Sequence, residues 1–240
     1  MLKNKNPTAV IFCGHGSRDK RYKKNLLSFK RKIKNILDKF SYFHCFIEVD
    51  SPSIDDCLEK IIKKFNKIFF FPLLLFQGDH YENDVKKKIQ NFNKKNGNKI
   101  VMLNKISLKN EILKIYSNFI KKKIEKDRNT YLITSCSISK NKKVKSELLK
   151  YTNYIKKKAN ISKSIYCQFG REDQVFKTLN KESNIKGYNF ILHPIYFFDG
   201  YLYTKVCEKF QSHIKDIKIL KPLSFNKEIF LLIRNRLIGV

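Results

Sequence analysis

The sequence predicts an α/β protein built from two similar parallel-sheet halves. Three observations carry this: short apolar runs alternate with long segments of helical period, a β-α-β-α-β-α-β-α order appears twice, and the two copies match when offset by about 121 residues. Strands separated by helices run parallel, because the chain must cross the sheet to return in the same direction. Such sheets are covered on both faces.

In the first half the strands are expected over 9–13, 43–49, 67–74 and 99–103, each a short apolar run. Between them, Leu26, Phe29, Ile33, Ile36, Leu37 and Phe40 recur at three- and four-residue steps, as do Ile54, Cys57, Leu58, Ile61, Ile62 and Phe65. That spacing lays one apolar stripe along a helix. From Thr130 the order repeats: strand 131–135, helix 142–158, strand 163–168, helix 172–182, strand 189–195, then helix, strand and helix. The expected division is 1–126 and 127–240.

The halves also match residue by residue. Gly14-His15-Gly16-Ser17 falls on Ser135-Cys136-Ser137-Ile138, and Phe71-Pro72-Leu73-Leu74 falls on His193-Pro194-Ile195-Tyr196 with one residue inserted. On this alignment Cys136 stands where the first half has His15, and Leu202 where it has His80. An internal duplication that kept its frame and lost its polar residues places the chemistry in the first half.

Composition narrows the setting. With 42% hydrophobic residues in 240, the chain has enough apolar material for a core, and its formal net charge of +30 attracts polyanions. Lysine, asparagine, isoleucine and phenylalanine are abundant, arginine is scarce and tryptophan absent, the mark of AT-rich coding, so much of the charge reads as solvated helix surface. The six cysteines form no C-x-x-C pair and lie partly in apolar runs, where a thiol acts as a small hydrophobe. The longest apolar run, 68–76, is interrupted by Pro72 and falls short of the ~18 residues of a membrane span. Residues 1–6 lead into the first strand with no leader-like h-region. A reducing cytoplasmic setting without membrane contact is expected.

In an open parallel sheet, function gathers beyond the carboxyl ends of the strands. Three polar clusters of the first half fall there: Gly14-His15-Gly16-Ser17-Arg18-Asp19 after strand one, Glu48 near the end of strand two, and Gln77-Gly78-Asp79-His80 after strand three. Glycines beside His15 permit a tight turn and close approach of a ligand. Two imidazoles and a carboxylate suit a first-row divalent ion, and an imidazole also accepts a proton near neutral pH. His44 and His213 read as ordinary partly exposed residues, and His193 as structural.

These segments resemble a known family. The run from Val10 to Asp19, Phe46-Ile47-Glu48 with Pro52-Ser53, and the run from Pro72 to His80 with Asp84 are similar to three motifs of the class II chelatases that act on sirohydrochlorin. The resemblance covers essentially the whole chain in the tandem form. It implies two α/β halves with a cleft between them and a lyase inserting Co²⁺, or else Fe²⁺, into sirohydrochlorin for cobalamin or siroheme biosynthesis. It implies His15 and His80 as metal ligands and proton acceptors, joined by Glu48. Gly14, Ser17, Arg18 and Gly78 become substrate-binding residues, Arg18 by pairing with a carboxylate. Asp79 departs from the small residue usual before the second histidine. No tightly bound cofactor is implied, the metal being substrate, and a fused pair of halves favours a monomer.

Other readings use the same letters. A non-catalytic carrier of tetrapyrrole or metal would employ the same ligands. A histidine phosphatase needs an arginine before its histidine, where this chain has Gly14. A nucleic-acid binder would show a zinc-finger, RRM or KH signature, and none accompanies the charge.

Overall fold

The computed structural model describes residues 8–76, 80–106, 108, 110–125, 127–182 and 187–239, with backbone alone for His80 and Glu82. Strands β1 (Thr8–Gly14), β2 (Ser41–Phe46), β3 (Lys67–Pro72) and β4 (Ile100–Met102) form a parallel sheet ordered β2-β1-β3-β4. Strands β5 (Thr130–Cys136), β6 (Lys163–Gln168), β7 (Asn189–Pro194) and β8 (Lys218–Ile219) repeat it as β6-β5-β7-β8. In both sheets the chain leaves the first strand on one side and comes back on the other. A crevice therefore opens at the carboxyl ends of the first and third strands.

Helices α1 (Lys20–Ile36), α2 (Ile54–Ile61) and α3 (Lys87–Asn96) belong to the first sheet, α3 being preceded by a π-helical turn, His80–Lys86. Each starts or stops for a local reason. Asp19 caps α1 by accepting the Arg21 N–H, Ser53 and Asp56 form a reciprocal capping box at α2, and α3 ends on Gly97 in the left-handed region. Leu26, Phe29 and Ile33 bury one face of α1, while Ile54, Cys57, Leu58 and Ile61 bury α2 against Ala9, Ile11 and Ile68.

The periodic stripes overrun the helices. α1 stops at Ile36, where the Tyr42 hydroxyl donates to the Leu37 carbonyl at 2.6 Å, and Phe40 packs edge-on against Phe69 and Tyr42 from the loop. Phe65 likewise lies beyond α2 yet is buried against Phe43. Apolar spacing reports burial, and a loop residue satisfies it as well as a helical one.

By packing, the chain divides into one unit of 1–106 with 234–240 and another of 107–233. Helix α4 (Glu111–Lys121), which the sequence division groups with the first half, packs on α5 (Lys142–Ala159) in the second unit, burying Ile112, Leu113, Tyr116 and Ile120. Helices α6 (Glu172–Asn180), α7 (Tyr201–His213) and α8 (Lys227–Ile238) follow. The second core gathers Ile133, Val175, Leu192, Val206 and Phe210. All six cysteines are free and buried, and no helix among the described residues is long and apolar enough to cross a membrane.

Strand register corrects the internal alignment. Thr8 pairs with Lys67 as Thr130 pairs with Asn189, and Ala9 with Ser41 as Tyr131 with Lys163, so counterparts in the first three strands of each sheet lie 122 positions on, with no insertion among them. The helix caps Asp19 and Asn141 obey the same offset, as do the hydrogen bonds Ile47 N to Gly14 O and Phe169 N to Cys136 O. Cys136 thus matches Gly14, and Ser137 holds the place of His15. Similarity of letters favoured the neighbouring register, but hydrogen bonding fixes the true one.

Candidate active site

β1 ends on Gly14, and His15 is the first residue beyond it. β2 ends at Phe46, short of the expected Val49, but two further rungs follow: Ile47 N–H donates to the Gly14 carbonyl and Glu48 N–H to the His15 carbonyl, both at 3.0 Å. These rungs bring the side chains together, with His15 Nε2 3.4 Å from Glu48 Oε1 and each side chain nearly half exposed, at 42% and 46%. An imidazole and a carboxylate so placed at a sheet edge are open to an incoming ion.

Tight backbone packing holds the pair. Gly16 has φ 102°, and a Cβ there would stand 1.9 Å from the Glu48 carbonyl oxygen. That same oxygen accepts the Asp50 N–H at 2.8 Å across a γ-turn whose central residue, Val49, has φ 68°. A β-branched residue is strained there, and such strain persists where surrounding contacts over-determine it. A further hold comes from Tyr22 on α1, which the sequence reading did not single out. Its phenol oxygen accepts the His15 N–H at 2.9 Å, with the Gly16 N–H also directed at it. Burial pushes the phenol well above its ordinary pKa, the two N–H groups pulling the other way, so the oxygen stays protonated. Tyrosine in the first turn of the helix, seven residues after the histidine, was the available signal.

Ser17 Oγ accepts the Asp19 N–H at 3.1 Å and shapes the entry to α1, while Arg18 is exposed and leaves helix capping to Asp19. Gly78 lies outside the described residues. His80 opens the π-helical turn after β3, on the crevice side of the sheet, and its side chain lies outside them too. Among the described residues no three His, Cys, Asp or Glu side chains form a metal-holding group.

The remaining histidines are held by packing. His193 is buried, stacked on Tyr116 at 4.4 Å and hydrogen-bonded through Nε2 to the Tyr151 hydroxyl at 2.9 Å, and burial lowers its pKa to about 3. His44 receives a hydrogen bond from Lys30 Nζ at 3.0 Å, and burial, aided by Lys30 and Lys23, lowers it to about 4. His213 stacks on Phe176 at 3.9 Å.

Residues 9–123, which contain this site, match the CbiX family model. A stretch of 83 residues is 34% identical to the sirohydrochlorin ferrochelatase of Priestia megaterium, covering 34% of this chain and 31% of that protein. This part of the chain is similar to the sirohydrochlorin chelatases. It thus spans about a third of the length of that curated relative in the match. A likeness of fold extends over nearly the whole chain. SirB from Bacillus subtilis with Fe³⁺ superposes with TM-score 0.76 at 20% identity, covering 97% of this chain and 95% of that one. The cobalt complex of SirB from Bacillus subtilis subspecies spizizenii gives 0.73 at 18%, with 97% and 94% covered.

Proposed function

We propose that this chain inserts a divalent metal, cobalt or iron, into sirohydrochlorin. The observation that carries the reading is the His15–Glu48 pair, 3.4 Å apart and open to solvent at the carboxyl edge of the first sheet. An incomplete donor set suits an ion that must be handed on, since a closed four-ligand cage would retain it. His15 and Glu48 draw in the partly dehydrated ion, with His80 as the third ligand. Insertion exchanges one divalent ion for two pyrrole protons, and the imidazoles and the Glu48 carboxylate take those protons before solvent does. Gly14 and Gly16 let the macrocycle approach the backbone closely, Gly78 serves likewise at the other loop, and Ser17 and Arg18 bind at its rim.

Cobalt is favoured by the tandem form, while the named bacterial relative is a ferrochelatase; imidazole and carboxylate serve both ions alike. The test is to mix the protein anaerobically with sirohydrochlorin and Co²⁺ or Fe²⁺ and follow the absorption change. The reading expects acceleration over the protein-free rate, a drop of about 10²-fold or more in His15→Ala, and a loss of similar size in Glu48→Gln, in keeping with the typical worth of a positioned proton acceptor. Binding of macrocycle and metal without acceleration would indicate a carrier. Full activity in a His15→Ala, His80→Ala double variant would overturn the mechanism.

A further inference from the structure

We infer that one face of α1 is a carboxylate-reading strip that fixes how the macrocycle lies against the site and selects highly carboxylated tetrapyrroles over those with few acid groups. The inference rests on the function proposed above and adds residues which that reading does not use.

A concavity of 560 Å³ adjoins the His15–Glu48 pair, its rim formed by the same two loops: Ser17 and Arg18 follow His15, and Val49 and Asp50 follow Glu48. Its long wall is α1, which contributes Lys20, Lys23, Lys24, Leu27 and Arg31. Steps of three and four residues place these on one helix stripe. From Lys20 to Arg31 the stripe runs about 16 Å, at ~1.5 Å per residue. Cations therefore reach from the edge of the site along the full length of a flat macrocycle.

The charges are available. Asp50 is the acidic residue of the concavity, and Lys23 already binds it at 2.9 Å while also donating to the Ser51 carbonyl at 3.0 Å. Arg18, Lys20, Lys24 and Arg31 have no acidic partner among the described residues. Leu27 and the exposed Val49 lie between them, an apolar surface for a ring face with cations for its rim. A solvated lysine surface explains scattered charge. It does not explain four unpaired cations in one concavity continuous with the candidate active site. Each exposed contact is weak and screened by salt, so discrimination comes from several carboxylates engaging together.

The experiment compares Lys24→Glu/Arg31→Glu with Lys32→Glu/Lys60→Glu, an equal charge change on residues outside the concavity, with Lys24→Gln/Arg31→Gln as a milder partner whose fold is checked by circular dichroism. The equilibrium Kd for metal-free sirohydrochlorin and for a dicarboxylate porphyrin is read by absorption titration at low and high salt, beside the metal-insertion rate. The expected result is a rise of at least tenfold in the sirohydrochlorin Kd for the strip variants at low salt, shrinking at high salt. The off-strip variant shifts by less than twofold, and the dicarboxylate Kd barely moves. Equal shifts in strip and off-strip variants, an unchanged sirohydrochlorin Kd, or no sirohydrochlorin binding by the parent overturn the strip. Parent protein that binds sirohydrochlorin through the strip yet inserts no metal overturns the proposed function alone.

Discussion

Gly16 lies so close to Glu48 that any Cβ at that position would stand 1.9 Å from the Glu48 carbonyl oxygen. The two loops of the site are therefore interlocked through backbone, and the separation of His15 from Glu48 depends on a missing side chain. Gly16→Ala combines this collision with a positive φ, which costs about 1–2 kcal/mol by itself for a residue bearing a Cβ. A loss of about 3 kcal/mol or more is expected in urea unfolding, within the range of severe single mutations. Metal insertion should fall together with it.

Tyr22→Phe removes the acceptor of the His15 N–H while keeping the ring in place. An unsatisfied donor in this half-buried position costs about 1 kcal/mol. The larger effect is on the aim of His15. Measured well below the melting transition, the apparent affinity for the metal substrate should weaken several-fold, with the fold intact by circular dichroism.

Val49→Gly relieves the strained φ of the γ-turn. Relief of about 1–2 kcal/mol exceeds the entropy that glycine adds to the unfolded chain, about 0.5–1 kcal/mol, so a modest rise in Tm is expected. Glu48, no longer held by the turn, should support slower insertion. A variant equal to the parent in both Tm and rate would show that the strain has no part in the site.

His193 predicts an acid limb in the stability of the second unit. Its folded pKa of about 3 lies below the ~6.5 of a free histidine, so the unfolded chain binds the proton first. Stability is complete above ~6.5, falls as pH drops towards about 3, and levels off there. Between pH 7.5 and pH 5 the loss is about 2 kcal/mol. His193→Phe, which installs the residue that its counterpart Phe71 carries in the first sheet, should flatten this limb in denaturant melts across pH.

The legible part of the fold was what periodicity encodes. Apolar runs such as that of β1 and stripes such as Leu26, Phe29 and Ile33 on α1 state both the element and its buried face. The doubled order of elements states the two sheets. Phe40 and Phe65 obeyed the period outside their helices, because burial and not helicity sets the spacing. The site was legible as far as strand ends go: His15 and Glu48 were placed by the rule that loops converge there, and the sheet brings them together.

The sequence by itself determined the two α/β halves, the one that carries His15 and His80, and the motifs of that half, since these reside in local pattern and in residue identity. Only the tertiary structure decided the rest. It made Ser137 the counterpart of His15 in the repeat, gave Tyr22 its hold on the His15 backbone, joined Gly16 to Glu48, and moved α4 into the second unit. Each depends on pairing between residues that local sequence does not bring together. Hydrogen-bond register and close packing, acting across the fold, choose among partners that the sequence leaves equivalent.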